Sequence, residues 1–147
     1  VRTAAELGIS SRVSLLGVRT DVAEVLAACD LGVLFSHAEG FPVALLEYGR
    51  ASLPAVASGV GHVQTIADLT HGVRVVPPGD EMALAQQMEA LLRDPSARTA
   101  LGREFRSVVE DRFSSRVVIP TVVERYRSLV TRRRTRSLAA RIPRRRA

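Results

Sequence analysis

The chain has 147 residues, enough for one domain with a sizeable core, and its single cysteine, Cys29, excludes an internal disulfide and reads as a small apolar residue at a helix end. The net charge of +6 belongs to one end: every basic residue is Arg, and 8 of the 21 lie between Arg132 and Arg146 with no acid among them. The rest sets 13 Arg against 15 Asp plus Glu and has no basic stripe with interleaved aromatics, which argues against a nucleic-acid-binding domain. No apolar run approaches the roughly 18 residues of a membrane span and no signal-peptide pattern opens the chain, so a cytoplasmic protein is expected.

In chain order, Val1, Ala4, Ala5 and Leu7 suit a helix ended by Gly8. Residues 13–17 (Val-Ser-Leu-Leu-Gly) predict a short strand, and Asp21 an N-cap for an amphipathic helix carrying Val22, Val25, Leu26 and Cys29. Residues 31–35 predict the next strand, 54–57 a third and 73–76 a fourth. Strands without alternation, separated by helices and loops, predict an α/β fold with a Rossmann-like parallel sheet buried on both faces. The turn Pro77-Pro78-Gly79-Asp80 predicts Asp80 as the cap of a helix over 81–92, whose face of Met82, Ala85, Met88, Leu91 and Leu92 reads as core. Asp94-Pro95 opens another helix through Leu101, Phe105, Val108 and Val109 to near Phe113. Ser114 or Ser115 starts a last helix through Val122, Tyr126 and Leu129. Residues 131–147 then read as an Arg-rich tail, disordered or weakly helical.

The informative stretch lies between the second and third predicted strands, Ser-His-Ala-Glu-Gly-Phe-Pro-Val-Ala-Leu-Leu-Glu-Tyr-Gly-Arg over 36–50. Pro42 at the first helical position would leave Phe41 as the N-cap, a side chain that accepts nothing from the first amides. Those donors then stay open to an anion, which Gly40 lets approach closely; the alternative is capping by water or Glu39. Glu47, set among Val43, Ala44, Leu45 and Leu46, predicts a carboxylate at a cleft, against the alternative of an exposed side chain paired with Arg50. Ser58-Gly59-Val60-Gly61-His62 ends the third predicted strand. In a parallel sheet it falls on the same edge as residues 39–42 and borders the same crevice, either as a ligand loop or as a plain connection. His37, His62 and His71 show no metal-ligand spacing with one another or with Cys29, and no nucleophile motif is present, so neither a metal site nor a covalent triad is expected.

Glu39-Gly40-Phe41-Pro42 followed by Glu47 resembles the E-x7-E signature of glycosyltransferase family 4, within the GT-B fold. The flanking segments fall in the family's order too, from Val13 through Asp21, Asp30, Pro54, the Val75-to-Asp80 run and Phe113-Ser114, so the resemblance covers about residues 1–130. It implies part of the C-terminal, nucleotide-sugar-binding half of such a fold over 1–130, N-terminally incomplete, with the tail over 131–147. It implies that Glu39 acts at the donor sugar, that Gly40, Phe41, Pro42, Val43, Gly59, Gly61 and His62 border the donor, and that Glu47 accepts from the ribose hydroxyls. A carboxylate suits paired hydroxyl donors. It implies further a retaining transfer to an unknown acceptor, no cofactor and no metal, and a partner N-terminal Rossmann-like domain. His62, Thr65, Tyr48 and Ser52 depart from the family's pattern, and the Arg and Lys that neutralise the diphosphate lie in a part of the domain that this sequence lacks. The alternative expectation is therefore a catalytically inactive nucleotide-sugar-binding or scaffolding module. For the tail, the alternatives are a solvated segment without a partner and an anionic membrane surface with peripheral localisation, the latter ahead of nucleic acid.

Overall fold

The computed structural model of the protein describes residues 2–139, and side chains for residues 2–131. Three parallel strands, β1 (Gly32–Leu34), β2 (Ala55–Ser58) and β3 (Val73–Val76), lie in the order β1-β2-β3. Gly32 pairs with Ala55, and Ala55 in turn with Val73. α1 (Arg2–Glu6) and α2 (Val22–Ala27) precede the sheet, α3 (Val43–Arg50) and α4 (Val63–Ala67) are its crossovers, and α5 (Glu81–Leu92), α6 (Pro95–Phe113) and α7 (Ser115–Ala139) follow.

All four residues of β2 are buried, and their alternation divides the core. Ala55 and Ala57 face Leu45 of α3, Val63 and Ile66 of α4, and Phe105 and Val109 of α6. Val56 faces the other way, with Val76 and Leu91 of α5. A central strand covered on both faces needs apolar residues at every position, which is why these runs show no alternation. Small residues let α6 come close: a Cβ at Gly102 would fall 1.9 Å from the Ser52 carbonyl oxygen, and one at Gly49 would fall 2.6 Å from Val109.

α5 and β3 have the expected bounds, and Asp80 and Asp94 cap α5 and α6 by accepting from the Ala83 and Ala97 amides at 2.8 and 2.9 Å. Gly8 ends the first helix at φ +68 as expected. Residues 13–17 correct the sequence reading: they form no strand, and Leu15 and Leu16 are 72% and 53% exposed. A strand needs a ladder partner, and the sheet's edge at β1 has no neighbour on that side among the described residues. Asp21 precedes α2 but makes no cap bond; its carboxylate holds Arg19 instead, Nε to Oδ1 at 2.7 Å. α7 continues through Ala139, into the stretch expected as a tail. Residues 140–147 lie outside the described residues.

Candidate active site

The loops after β1 and β2 leave the sheet at the same edge, as parallel strands require, and they are fastened to each other. The His62 amide donates to the Gly40 carbonyl at 3.2 Å, and its ring Nδ1 lies 3.1 Å from the same oxygen, a donor in the tautomer protonated there. Gly61 makes this approach possible. Its φ is +55, and a Cβ there would fall 2.0 Å from the Glu39 carbonyl oxygen. Phe41 sits between His62 and Phe113, each ring centroid 6.0 Å away.

Pro42 is buried and occupies the N-cap position itself, so α3 starts one residue later than expected, at Val43. No side chain caps the helix. Glu39, the alternative cap, instead accepts from Ser36 Oγ at 2.7 Å. Val43 N donates to Phe41 O at 3.0 Å and Leu45 N to Pro42 O at 3.1 Å, which leaves the Ala44 amide without a partner among the described residues. Beside it, a Cβ at Gly40 would meet nothing within 4 Å, so space is open there for a ligand. The second loop offers less than its glycines promised. The Gly59 amide is committed to Val76 O at 2.9 Å and the His62 amide to Gly40, leaving the Gly61 amide free among the described residues. Behind this loop, Ser58 is buried and its Oγ has no partner.

Glu47 is exposed rather than enclosed by its apolar neighbours. Leu45 and Gly49 carry the buried face of α3, and two residues of helix rotate Glu47 about 200° away from Leu45. Glu47 nevertheless stands between two clefts. One of about 590 Å³ is bounded by Arg50, Arg106, Glu110 and Ser114, and another of about 410 Å³ reaches across to Val22 and Leu26 of α2. Its carboxylate makes no hydrogen bond or ion pair among the described residues, and neither does the Arg50 guanidinium beside it, so the local Glu47–Arg50 pair is not formed. Arg106 donates to Glu110 at 2.7 Å. Sequence reasoning missed Arg106 and Phe113 as neighbours of this region: they arrive with α6 from more than fifty residues away, and no local pattern announces them.

The arrangement supplies two acceptor carboxylates, an uncapped helix start and the Arg50 guanidinium, unpaired among the described residues, the chemistry of a ligand carrying hydroxyls and negative charge. The model for the family Glycosyl transferases group 1 matches residues 1–94. The chain belongs to the group 1 glycosyltransferases. It is 31% identical over 113 residues to N-acetyl-alpha-D-glucosaminyl L-malate synthase of Bacillus anthracis, covering 77% of this chain and 30% of that protein. Sucrose-phosphate synthase of Thermosynechococcus elongatus superposes with a TM-score of 0.81 at 27% identity, over 88% of this chain and 33% of the other. HepE of Anabaena in complex with UDP-glucose gives 0.80 at 25% identity, over 86% and 35%. The chain thus spans about a third of the length of each of these three proteins. The α/β architecture with a parallel sheet is that of these GT-B neighbours.

Proposed function

We propose that residues 1–130 form part of the nucleotide-sugar-binding half of a family 4 glycosyltransferase, whose parent transfers a sugar with retention to an acceptor the site does not identify. The reading is carried by one observation: the Glu39 loop is locked to the Gly61–His62 loop at the C-terminal strand edge, in front of an uncapped α3, while Glu47 has no hydrogen bond or ion pair among the described residues. Glu39 acts at the donor sugar. Gly40, Phe41, Pro42, Val43, Gly61 and His62 wall the donor region, Gly59 shapes the loop, and Glu47 receives the ribose hydroxyls. Arg50 is the cation available to an anionic ligand beside Glu47, with Arg106, which holds Glu110, next to it. No metal and no cofactor enter this chemistry. The likeness to HepE, whose structure contains UDP-glucose, supports a uridine donor.

Transfer needs the second Rossmann-like domain that completes the cleft, so the isolated chain binds without turning over. Calorimetry of the chain with UDP and UDP-glucose tests the binding, and Glu47→Gln should weaken it about tenfold or more by removing a charged acceptor. Unchanged affinity in that variant overturns the role of Glu47. A second reading, a silent binding or scaffolding module, is favoured by the commitment of the Gly59 and His62 amides to the protein itself. Joined to the second domain, an active Glu39→Gln variant or an inactive unsubstituted protein supports the module over the enzyme.

The same reading assigns the eight Arg over 132–146 to an anionic membrane surface, as a cytoplasmic, peripheral contact. Co-sedimentation with anionic vesicles that is lost on truncation after Val130 and in about 0.5 M salt supports it. Salt-sensitive binding to DNA but not to vesicles moves the assignment to nucleic acid.

A further inference from the structure

The two carboxylates of the site are held differently. Glu47 is exposed and makes no hydrogen bond or ion pair among the described residues, whereas Glu39 is half-buried and its Oε1 accepts from Ser36 Oγ at 2.7 Å. A hydroxyl donating to a carboxylate is a charge-assisted bond, shorter and stronger than a neutral one. Ser36 makes it from a fixed place: it stands two residues beyond the end of β1, directly after Phe35, whose side chain packs against the cluster of Val56, Val76 and Leu91. His37 and Ala38, between the two partners, are exposed, so no packing of their side chains sets this loop.

The backbone of Glu39 is fixed from the other loop. Its carbonyl oxygen abuts Gly61, and the next carbonyl, that of Gly40, accepts from His62. Glu39 is thus held at both ends, its main chain by the loop after β2 and its carboxylate by the residue after β1. Oε1 is committed to Ser36, and Oε2 makes no hydrogen bond among the described residues. A glutamate side chain ordered on folding does not have to be ordered again on binding, and the oxygen it leaves over points one way.

We propose that Ser36 is a positioning residue of the site: by holding Oε1 of Glu39 it presents Oε2 to the hydroxyls of the donor sugar, and so sets how well a sugar-bearing nucleotide binds relative to the bare nucleoside diphosphate. The proposal rests on the assignment of Glu39 to the donor sugar and adds to it the residue that orients the carboxylate. The other use of the bond is to close the loop and nothing more. In that case Ser36 supports the site as a whole, and its loss weakens every ligand equally.

Calorimetric titrations of the chain with UDP and with UDP-glucose separate the two uses, since only the second ligand carries the sugar. Ser36→Ala should lower the affinity for UDP-glucose about three- to tenfold and leave that for UDP unchanged. Ser36→Thr, which keeps the hydroxyl, should restore the parent ratio of the two affinities, and His37→Ala, in the exposed part of the same loop, should not alter it. In a Glu39→Ala background Ser36→Ala should have no further effect, because the carboxylate through which it acts is gone. Equal losses for UDP and UDP-glucose in Ser36→Ala overturn the proposal, as do a ratio that stays low in Ser36→Thr and an undiminished effect of Ser36→Ala in the Glu39→Ala background. A ratio that falls in Glu39→Ala but not in Ser36→Ala overturns the role of Ser36 and leaves that of Glu39 standing. A ratio that neither substitution changes, or a chain that binds neither ligand, overturns the assignment of Glu39 and the proposal with it.

Discussion

The ring of Tyr48 lies across Gly32, where a Cβ would fall 2.4 Å from Tyr48 Cδ2, and its hydroxyl donates to the Val33 carbonyl at 3.1 Å. The aromatic residue of α3 and the missing side chain of β1 are one fitted pair, which fixes the helix on the edge strand just before the site loop. Burial pushes the phenol above its ordinary pKa, with the Glu47 charge adding to the shift, so the hydroxyl stays a donor throughout the neutral range. Tyr48→Phe should cost about 1 kcal/mol for the lost hydrogen bond, and Gly32→Ala about 1–3 kcal/mol for overpacking. Because the pair shares one contact, Gly32→Ala should cost less in a Tyr48→Ala background than alone. Denaturant midpoints of the four proteins check this, and additive costs would contradict the pairing.

Ser52 has φ 60, the one non-glycine residue with positive φ among those described. It ends α3 in a Schellman arrangement, with the Ser52 amide donating to Gly49 O and the Leu53 amide to Tyr48 O, both at 2.9 Å. Ser52, one of the residues that depart from the family's pattern, thus falls where a Cβ costs roughly 1–2 kcal/mol. Ser52→Gly should stabilise the chain by about 1 kcal/mol, part of the gain being lost to the freer unfolded chain. Gly102→Ala, directed at the Ser52 carbonyl, should destabilise by more than about 2 kcal/mol. Thermal unfolding of each variant separates the two effects.

Local chemistry accounts for what was legible in the sequence. β3, the bounds of α5, the Asp80 and Asp94 caps and the Gly8 stop each depend on residues within one or two turns of themselves, and the structure returns them as expected. The expected core face of α5 does not hold, because Met82 and Leu92 are 70% and 49% exposed while Ala83, Leu84, Met88 and Leu91 pack inward. Residues 13–17 failed because a strand is a pairing, and an apolar run does not contain its partner. Glu47 reaches a cleft, as expected, but from the exposed side of α3. Its neighbours in sequence are apolar, but the helix turns their side chains to different faces, and a count of 100° per residue already sets it opposite Leu45. The contact between the two site loops was foreseen as a shared crevice; that they touch, through Gly61 and the Gly40 carbonyl, depends on backbone angles that the sequence marks only by its glycines.

Glu104 ties α6 to the turn before β3: its Oε1 accepts from the His71 amide at 2.8 Å, from His71 Nδ1 at 3.2 Å and from Thr70 Oγ1 at 3.2 Å. These bonds, the His71 amide first, hold its carboxyl below the ordinary value of 4.5. A depressed folded-state pKa gives stability that is present above the unfolded value and is lost as pH falls through the folded one. Stability should therefore decline as pH drops below about 4.5, and Glu104→Gln should flatten that part of the profile while costing stability at neutral pH. Unfolding midpoints across the acid range check it; an unchanged acid slope in Glu104→Gln would show that the decline has another source.

Gly61 and Gly40 make opposite predictions although both are exposed glycines of the same site. At Gly61 a Cβ meets the Glu39 carbonyl oxygen at 2.0 Å and the Gly40 oxygen at 2.8 Å, both of them backbone, and the residue stands at φ +55. A methyl group there has to push the Glu39 loop off the His62 loop, which breaks the bonds to the Gly40 carbonyl and frees Glu39 from its set position. Gly61→Ala should cost about 1–3 kcal/mol of stability and lower the affinity for UDP-glucose together with it. At Gly40 a Cβ meets nothing within 4 Å, so Gly40→Ala should leave stability within about 0.5 kcal/mol of the parent. Its methyl group nevertheless projects into the space where a donor is proposed to approach, so affinity should fall without a change in melting temperature. Parallel melting and calorimetric titrations of the two variants separate a loop that holds the site from one that faces the ligand. Equal affinity in Gly40→Ala and the parent would move the donor away from this edge.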